Sequence, residues 1–193
     1  MKPTAVFAAA ALFVAFAQPA TAETSLTAYN AARQALLAIW AELPLTLRNA
    51  TLTDGVASGY GDYASRPSNS YGPGEEIDVY VEVLGYGWRD NGDGTLSKLL
   101  DADLALVDAG GVTVASQPKF MTSEVKSRSK LLETDLVFNV RLTAFKPGAY
   151  KLQFAIHDRA GGKDGSFELP VTLAEAAPTA SSVEPAPEAS SAQ

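Results

Sequence analysis

The sequence predicts a mainly β protein, an immunoglobulin-like antiparallel β-sandwich preceded by one amphipathic helix. Three observations carry that expectation. Apolar residues alternate with period two in several short runs. Turns bearing Gly and Pro separate the runs. One run of helical period comes before them all. The chain has 193 residues, enough for one domain.

Residues 1–22 read as an export signal. Lys2 is followed by an apolar run from Ala5 to Ala17, and Ala20-Thr21-Ala22 supplies the small residues a signal peptidase needs. The run is about 13 residues, short of the roughly 20 that span a bilayer. The expected location is therefore the periplasm, or outside the cell, after cleavage between Ala22 and Glu23. The mature chain is expected to lack a transmembrane segment.

Residues 23–43 form the predicted helix, expected to pack on the domain. Leu26, Tyr29, Ala32, Leu36, Ile39, Trp40 and Leu43 recur at spacings of three and four. Thr24 or Ser25 can cap its start, and Pro44 ends it.

Residues 44–173 carry the strands. Leu45 to Leu47 opens the alternation. Ile77, Val79, Val81 and Val83 then alternate with Asp78, Tyr80 and Glu82. Leu136, Phe138, Val140 and Leu142 form a second clear run, and Tyr150, Leu152, Phe154 and Ile156 a third. Shorter candidates are 56–63, 99–107, 112–116 and 167–173. Pro170 makes the last an edge or bulged strand. Residues 174–193 are Ala, Pro, Ser and Glu almost throughout, a composition that predicts a disordered tail.

Composition removes several functions. Zero cysteine excludes disulfides, thiolate metal sites and a cysteine nucleophile. The formal charge of −7 argues against nucleic acid as a partner. The single histidine, His157, excludes multi-histidine metal sites. No cofactor and no metal are expected. A non-EF calcium site using Asp90, Asp93 and Asp101 stays open, although Asp90-Asn91-Gly92-Asp93-Gly94 also suits a hairpin turn.

Motifs are weak. Gly59-Tyr60-Gly61-Asp62-Tyr63-Ala64 fits a loose dinucleotide pattern without strand-turn-helix context. Ser123 to Lys126 and Ser127 to Lys130 match S-x-x-K without partner motifs. Better candidates are surfaces. Tyr80, Glu82, Tyr86 and Trp88 form an aromatic stretch that either packs over the sheet or lines a groove. Lys126, Arg128 and Lys130 form a basic stretch that either attracts anions or pairs with the acids of 75–108. His157 and Arg159 close a strand beside a loop.

The strings Trp40-Ala41-Glu42-Leu43-Pro44-Leu45, Gly59-Tyr60-Gly61-Asp62-Tyr63, Tyr80-Val81-Glu82-Val83-Leu84-Gly85-Tyr86-Gly87-Trp88 and Lys146-Pro147-Gly148-Ala149-Tyr150 carry a likeness. They resemble a group of exported bacterial proteins of unknown function with an immunoglobulin-like β-sandwich. The likeness covers most of 36–173. It implies fold and export, and it transfers no activity.

The expected function is a non-enzymatic binding or interaction module for a protein or envelope polymer. Two alternatives stand beside it. One is a hydrolase of envelope polymers using Asp78, Glu82, Asp101 and Asp103. The other is a purely structural envelope protein.

Overall fold

The computed structural model describes residues 25–175. The expected signal at 1–22 and the tail beyond Glu175 lie outside the described residues. The protein divides into two units, with the boundary between Leu36 and Leu37.

The helix α1 spans Leu26–Glu42, inside the expected 23–43; residues 23 and 24 are not described. Ser25 is its cap, its Oγ accepting the Ala28 N–H at 3.1 Å. Among the described residues no helix is long and apolar enough to cross a membrane.

Strands follow in the order β1 (Thr46–Thr53), β2 (Ser70–Tyr71), β3 (Glu76–Leu84), β4 (Arg89–Asp90), β5 (Leu96–Asp108), β6 (Thr113–Ser127), β7 (Asp135–Arg141), β8 (Gly148–Asp158) and β9 (Lys163–Leu173). They form two packed sheets. One has the order β1-β3-β7; the other runs β2-β9-β8-β5, with β4 and β6 also on β5. Registers place β4 and β8 along one side of β5 and β6 along the other, so β6 is an edge. All pairs are antiparallel except the short β2–β9 pair. This strand order is that of immunoglobulin-like sandwiches.

The alternation builds the core. Val79 and Val81 of β3, Phe138 of β7, Leu100 and Leu104 of β5, and Phe154 of β8 turn inward and are buried. Phe138 and Phe154 meet between the sheets at 4.5 Å. With no cysteine, this packing and the backbone ladders hold the domain together. Pro170 sits where its missing N–H costs nothing. Thr172 N turns away from β8 to bond Asn69 O, so Pro170, two residues earlier, faces the same open edge.

Two expectations need correction. Residues 56–63 are not a strand. They belong to a loop held by Asp54 N to Ala64 O and Arg66 N to Leu52 O. Within it Tyr63 stacks on Tyr80 of β3, and the Tyr60 hydroxyl meets Arg48 of β1. The strand expected at 112–116 instead runs to Ser127. A bulge at Pro118-Lys119-Phe120, with Lys119 at φ 49°, interrupts its period.

The Gly85-Tyr86-Gly87-Trp88 stretch is shaped by close approach. A Cβ on Gly85, at φ 77°, would overlap the Pro44 carbonyl oxygen, and one on Gly87 would overlap the Gly161 backbone. The Asp158 carboxylate ties these segments, accepting Gly87 N at 2.7 Å and Gly161 N at 2.9 Å. Lys163 Nζ donates to Ala41 O, Leu43 O and Gly85 O at 3.0, 2.5 and 2.8 Å. It thereby satisfies carbonyls at the C-terminal end of α1.

Candidate functional site

Registers lay out the outer face of the six-stranded sheet as a grid. Leu100, Ala102 and Leu104 face the core, so Asp101, Asp103 and Ala105 of β5 face outward. β8 sets His157, Ala155 and Gln153 beside them, and β9 sets Asp164, Ser166 and Glu168 beside those. β6 places Ser116 opposite Ala105 and its bulge opposite Asp103.

The middle of this grid is small: Ala105, Ala155, Ser116 and Ser166. Larger side chains stand at both ends, and Pro118 forms a side wall. The result is a groove of about 600 Å³, within the range of ligand sites. Among the described residues the Ser116 and Ser166 hydroxyls have no hydrogen-bond partner.

One end is an ionic cluster. His157 Nδ1 lies 2.6 Å from Asp164 Oδ1, and Nε2 lies 3.3 Å from Asp103 Oδ2. The Asp164 contact above all holds the imidazole pKa above its ordinary 6.5; burial opposes it, and Asp103 adds to the rise. Asp103 Oδ1 also accepts the Lys119 N–H that the bulge turns toward it, at 2.8 Å. That bond, with His157, keeps Asp103 below the usual carboxylate range. Arg159 Nε bonds Asp101 Oδ2 at 2.8 Å, and Thr122 Oγ1 bonds Oδ1 at 2.8 Å; both lower Asp101. At the other end Lys151 and Gln153 bond Glu168 at 2.7 and 3.3 Å.

The remaining candidates lie elsewhere. Tyr80 and Glu82 share the outer face of the three-stranded sheet but are buried beneath the loop at 54–69. Tyr63 stacks on Tyr80 at 4.3 Å, and Gly61 N donates to Tyr80 Oη at 2.7 Å. Arg48 Nε bonds Glu82 Oε2 at 2.6 Å, while its Nη2 donates to Tyr60 Oη at 2.5 Å. Burial works to raise Glu82, but bonds from Asn49 and Arg48 outweigh it and leave the carboxyl low.

Tyr86 and Trp88 belong to packing rather than to an exposed groove. Tyr86 is buried, meets Trp40 edge-on at 5.2 Å and lies 5.7 Å from Trp88. Trp40 Nε1 donates to Tyr86 O at 2.8 Å. Burial pushes the Tyr86 phenol up to about 12. Lys98, buried beside it, places Nζ 2.5 Å from Thr134 Oγ1 and 5.5 Å from the Tyr86 ring centre.

Lys126 pairs with Asp93 at 2.9 Å, as the cross-strand account of the basic stretch expects. Arg128 and Lys130 are exposed. Ser123 and Lys126 are three apart on a strand and so point to opposite faces, which removes an S-x-x-K site there. The loop at Asp90 to Thr95 is a hairpin turn. Asp90 accepts Gly92 N, and Asp93 accepts Thr95 and Lys126, which hold it at about 2. Among the described residues no group of three or more acids and histidines is placed to hold a metal ion.

Of the residues the sequence singled out, His157 lies at one end of this groove with Arg159 near it; Asp164 and the small-residue floor carried no sequence signal. Strand parity from Leu100 was the available signal for Lys98 facing inward. Nothing local announced the bulge that aims Lys119 N at Asp103.

The fold thus defines a mainly β protein with one N-terminal helix and two packed sheets. The sequence matches no characterised family and no curated protein. Three solved structures are similar at low level. The sporulation control protein Spo0M from Bacillus subtilis is 15% identical over 68% of this chain and 49% of its own, with a TM-score of 0.40. The Pseudomonas fluorescens alkylpurine DNA glycosylase AlkC is 13% identical over 77% and 39%, with a TM-score of 0.38. The CARDB domain of PF1109 from Pyrococcus furiosus, crystallised with di-metal ions, is 10% identical over 70% and 96%, with a TM-score of 0.30. The chain spans about half the length of Spo0M and less of AlkC. Similarity at this level bears on neither activity nor ligand.

Proposed function

We propose that this is an exported, non-enzymatic module that binds a short extended peptide segment of a partner protein. The groove on the outer face of the six-stranded sheet is the observation that carries the reading. It is open, floored by small residues and edged by hydroxyls, an amide and carboxylates. Such a lining suits the N–H and C=O groups of an extended backbone with small side chains. A glycan is less well served, because no tryptophan or tyrosine is among the lining residues and the buried Phe154 ring is stacked on Phe167 at 4.9 Å.

Export rests on the pattern at 1–22 and on the resemblance of 36–173 to exported bacterial proteins. The non-enzymatic reading rests on the state of the carboxylates. Glu82, Asp101 and Asp103 are all held below the ordinary range by donors, whereas a general acid at neutral pH needs a raised value. Asp78 accepts Asn139 Nδ2 at 2.9 Å on the other sheet.

The test is selection from a displayed random heptapeptide library, followed by titration of the enriched peptides against Ala155→Trp. The expected result is peptides rich in small residues whose affinity falls at least tenfold in the variant, with its circular dichroism unchanged. Unchanged affinity in the variant would remove the groove as the site. Enrichment of nothing, with binding of glycan fragments instead, would replace the peptide.

A further inference from the structure

We propose that a second copy of this chain pairs along β6, in one antiparallel register centred on Val125. Among the described residues no strand lies on the side of β6 away from β5. Which of its backbone groups face that side follows from the ladder. Leu99 O accepts Arg159 N at 2.9 Å, so odd-numbered residues of β5 point their backbone groups toward β8 there, and even-numbered ones toward β6. Lys98 stands opposite Val125, and Leu100 opposite Ser123. Val125 and Ser123 therefore bond β5. The N–H and C=O groups of Thr122, Glu124 and Lys126 point outward, and all three residues are exposed.

An antiparallel twofold must set outward residues against outward residues. A twofold at Glu124 opposes two glutamates, and one at Lys126 opposes two lysines; both are unfavourable. A twofold at Val125 sets each Glu124 against Lys126 of the other copy, twice, and each Thr122 against Arg128. Its hydrogen-bonded pairs fall on the outward groups, as the ladder requires. The charges that usually keep an edge strand apart are here self-complementary in one register. The bulge at Lys119 and the proline at 118 confine the pairing to the second half of β6. Lys126 is free to share its ammonium, because its pair with Asp93 is half exposed and contributes little. A strip one strand wide is smaller than the ~1,200 Å² of a standard interface, so the association is weak and concentration-dependent.

Sedimentation velocity on the chain recovered from an exporting host, over a concentration series at low salt, tests this. The wild type is expected to self-associate, and E124K and K126E each to weaken that at least tenfold. An equimolar mixture of the two variants is expected to associate again, because each then faces its opposite charge. E124P, which removes an outward N–H and leaves the β5 ladder intact, is expected to stay monomeric with an unchanged circular dichroism spectrum. A wild type that is monomeric throughout overturns the proposal. So do single variants that associate like the wild type, or a mixture no stronger than its parts.

Discussion

The two outer faces of the sandwich begin from the same kind of strand and end differently. β3 and β8 both alternate apolar inward with polar outward. On β3 the outward residues Asp78, Tyr80 and Glu82 are nevertheless buried, and Tyr63 and Gly61 of the loop at 54–69 sit on Tyr80. On β8 the outward residues Gln153, Ala155 and His157 stay open to the groove. Alternation decides which way a side chain points. A distant segment decides whether it meets solvent. The covered face is a structural device, and the open face is the accessible one.

The largest expected effect breaks the covered face. Tyr80→Ala removes a ring that is 0% exposed and stacked on Tyr63. A loss of about 3 to 5 kcal/mol in denaturant unfolding is expected, with faster amide exchange across 54–69. A cost below about 1 kcal/mol would mean that the loop is not seated on the sheet.

Next comes Lys163→Met, which leaves the carbonyls of Ala41, Leu43 and Gly85 without their donor. Of these only Gly85 is buried, and an unsatisfied buried acceptor costs about 1 to 3 kcal/mol, so the same unfolding assay should show a loss near the lower figure. Ser166→Ala on the open groove should change stability by no more than about 0.5 kcal/mol, because nothing folded depends on that hydroxyl. A large loss there would make the groove a packed surface and erase the contrast between the two faces.

The smallest effect is the titration of His157. Its pKa is raised in the fold by Asp164 and Asp103, so its stabilising contribution is present below about 6.5 and fades as pH rises through the folded value. As the sole histidine it gives one imidazole signal by NMR. That signal should titrate above 6.5, and Asp164→Asn should bring it down. A midpoint at or below 6.5 would remove the ionic cluster from the end of the groove.

Much of the fold was legible because β3, β7 and β8 carry their pattern locally. β6 was legible only as far as Ser116, since a polar edge strand with a bulge has no strict period to read. The loop at 56–63 was misread because tyrosines are common in strands, and here Tyr63 docks on one from outside it. The groove was hidden for a different reason. Asp103, His157 and Asp164 are dispersed in the chain and meet only through two strand registers. Its floor is Ala and Ser, residues that carry no chemical signature. The sequence marked His157 and Arg159 correctly as lying by a loop, but only the register shows what they face.

The most direct test of the account is backbone amide chemical-shift mapping with a library-selected peptide. Shifts concentrated at 103–105, 116–117, 153–155 and 166–168 are expected. Shifts concentrated on the loop at 54–69, or around Tyr86 and Trp88, would contradict it.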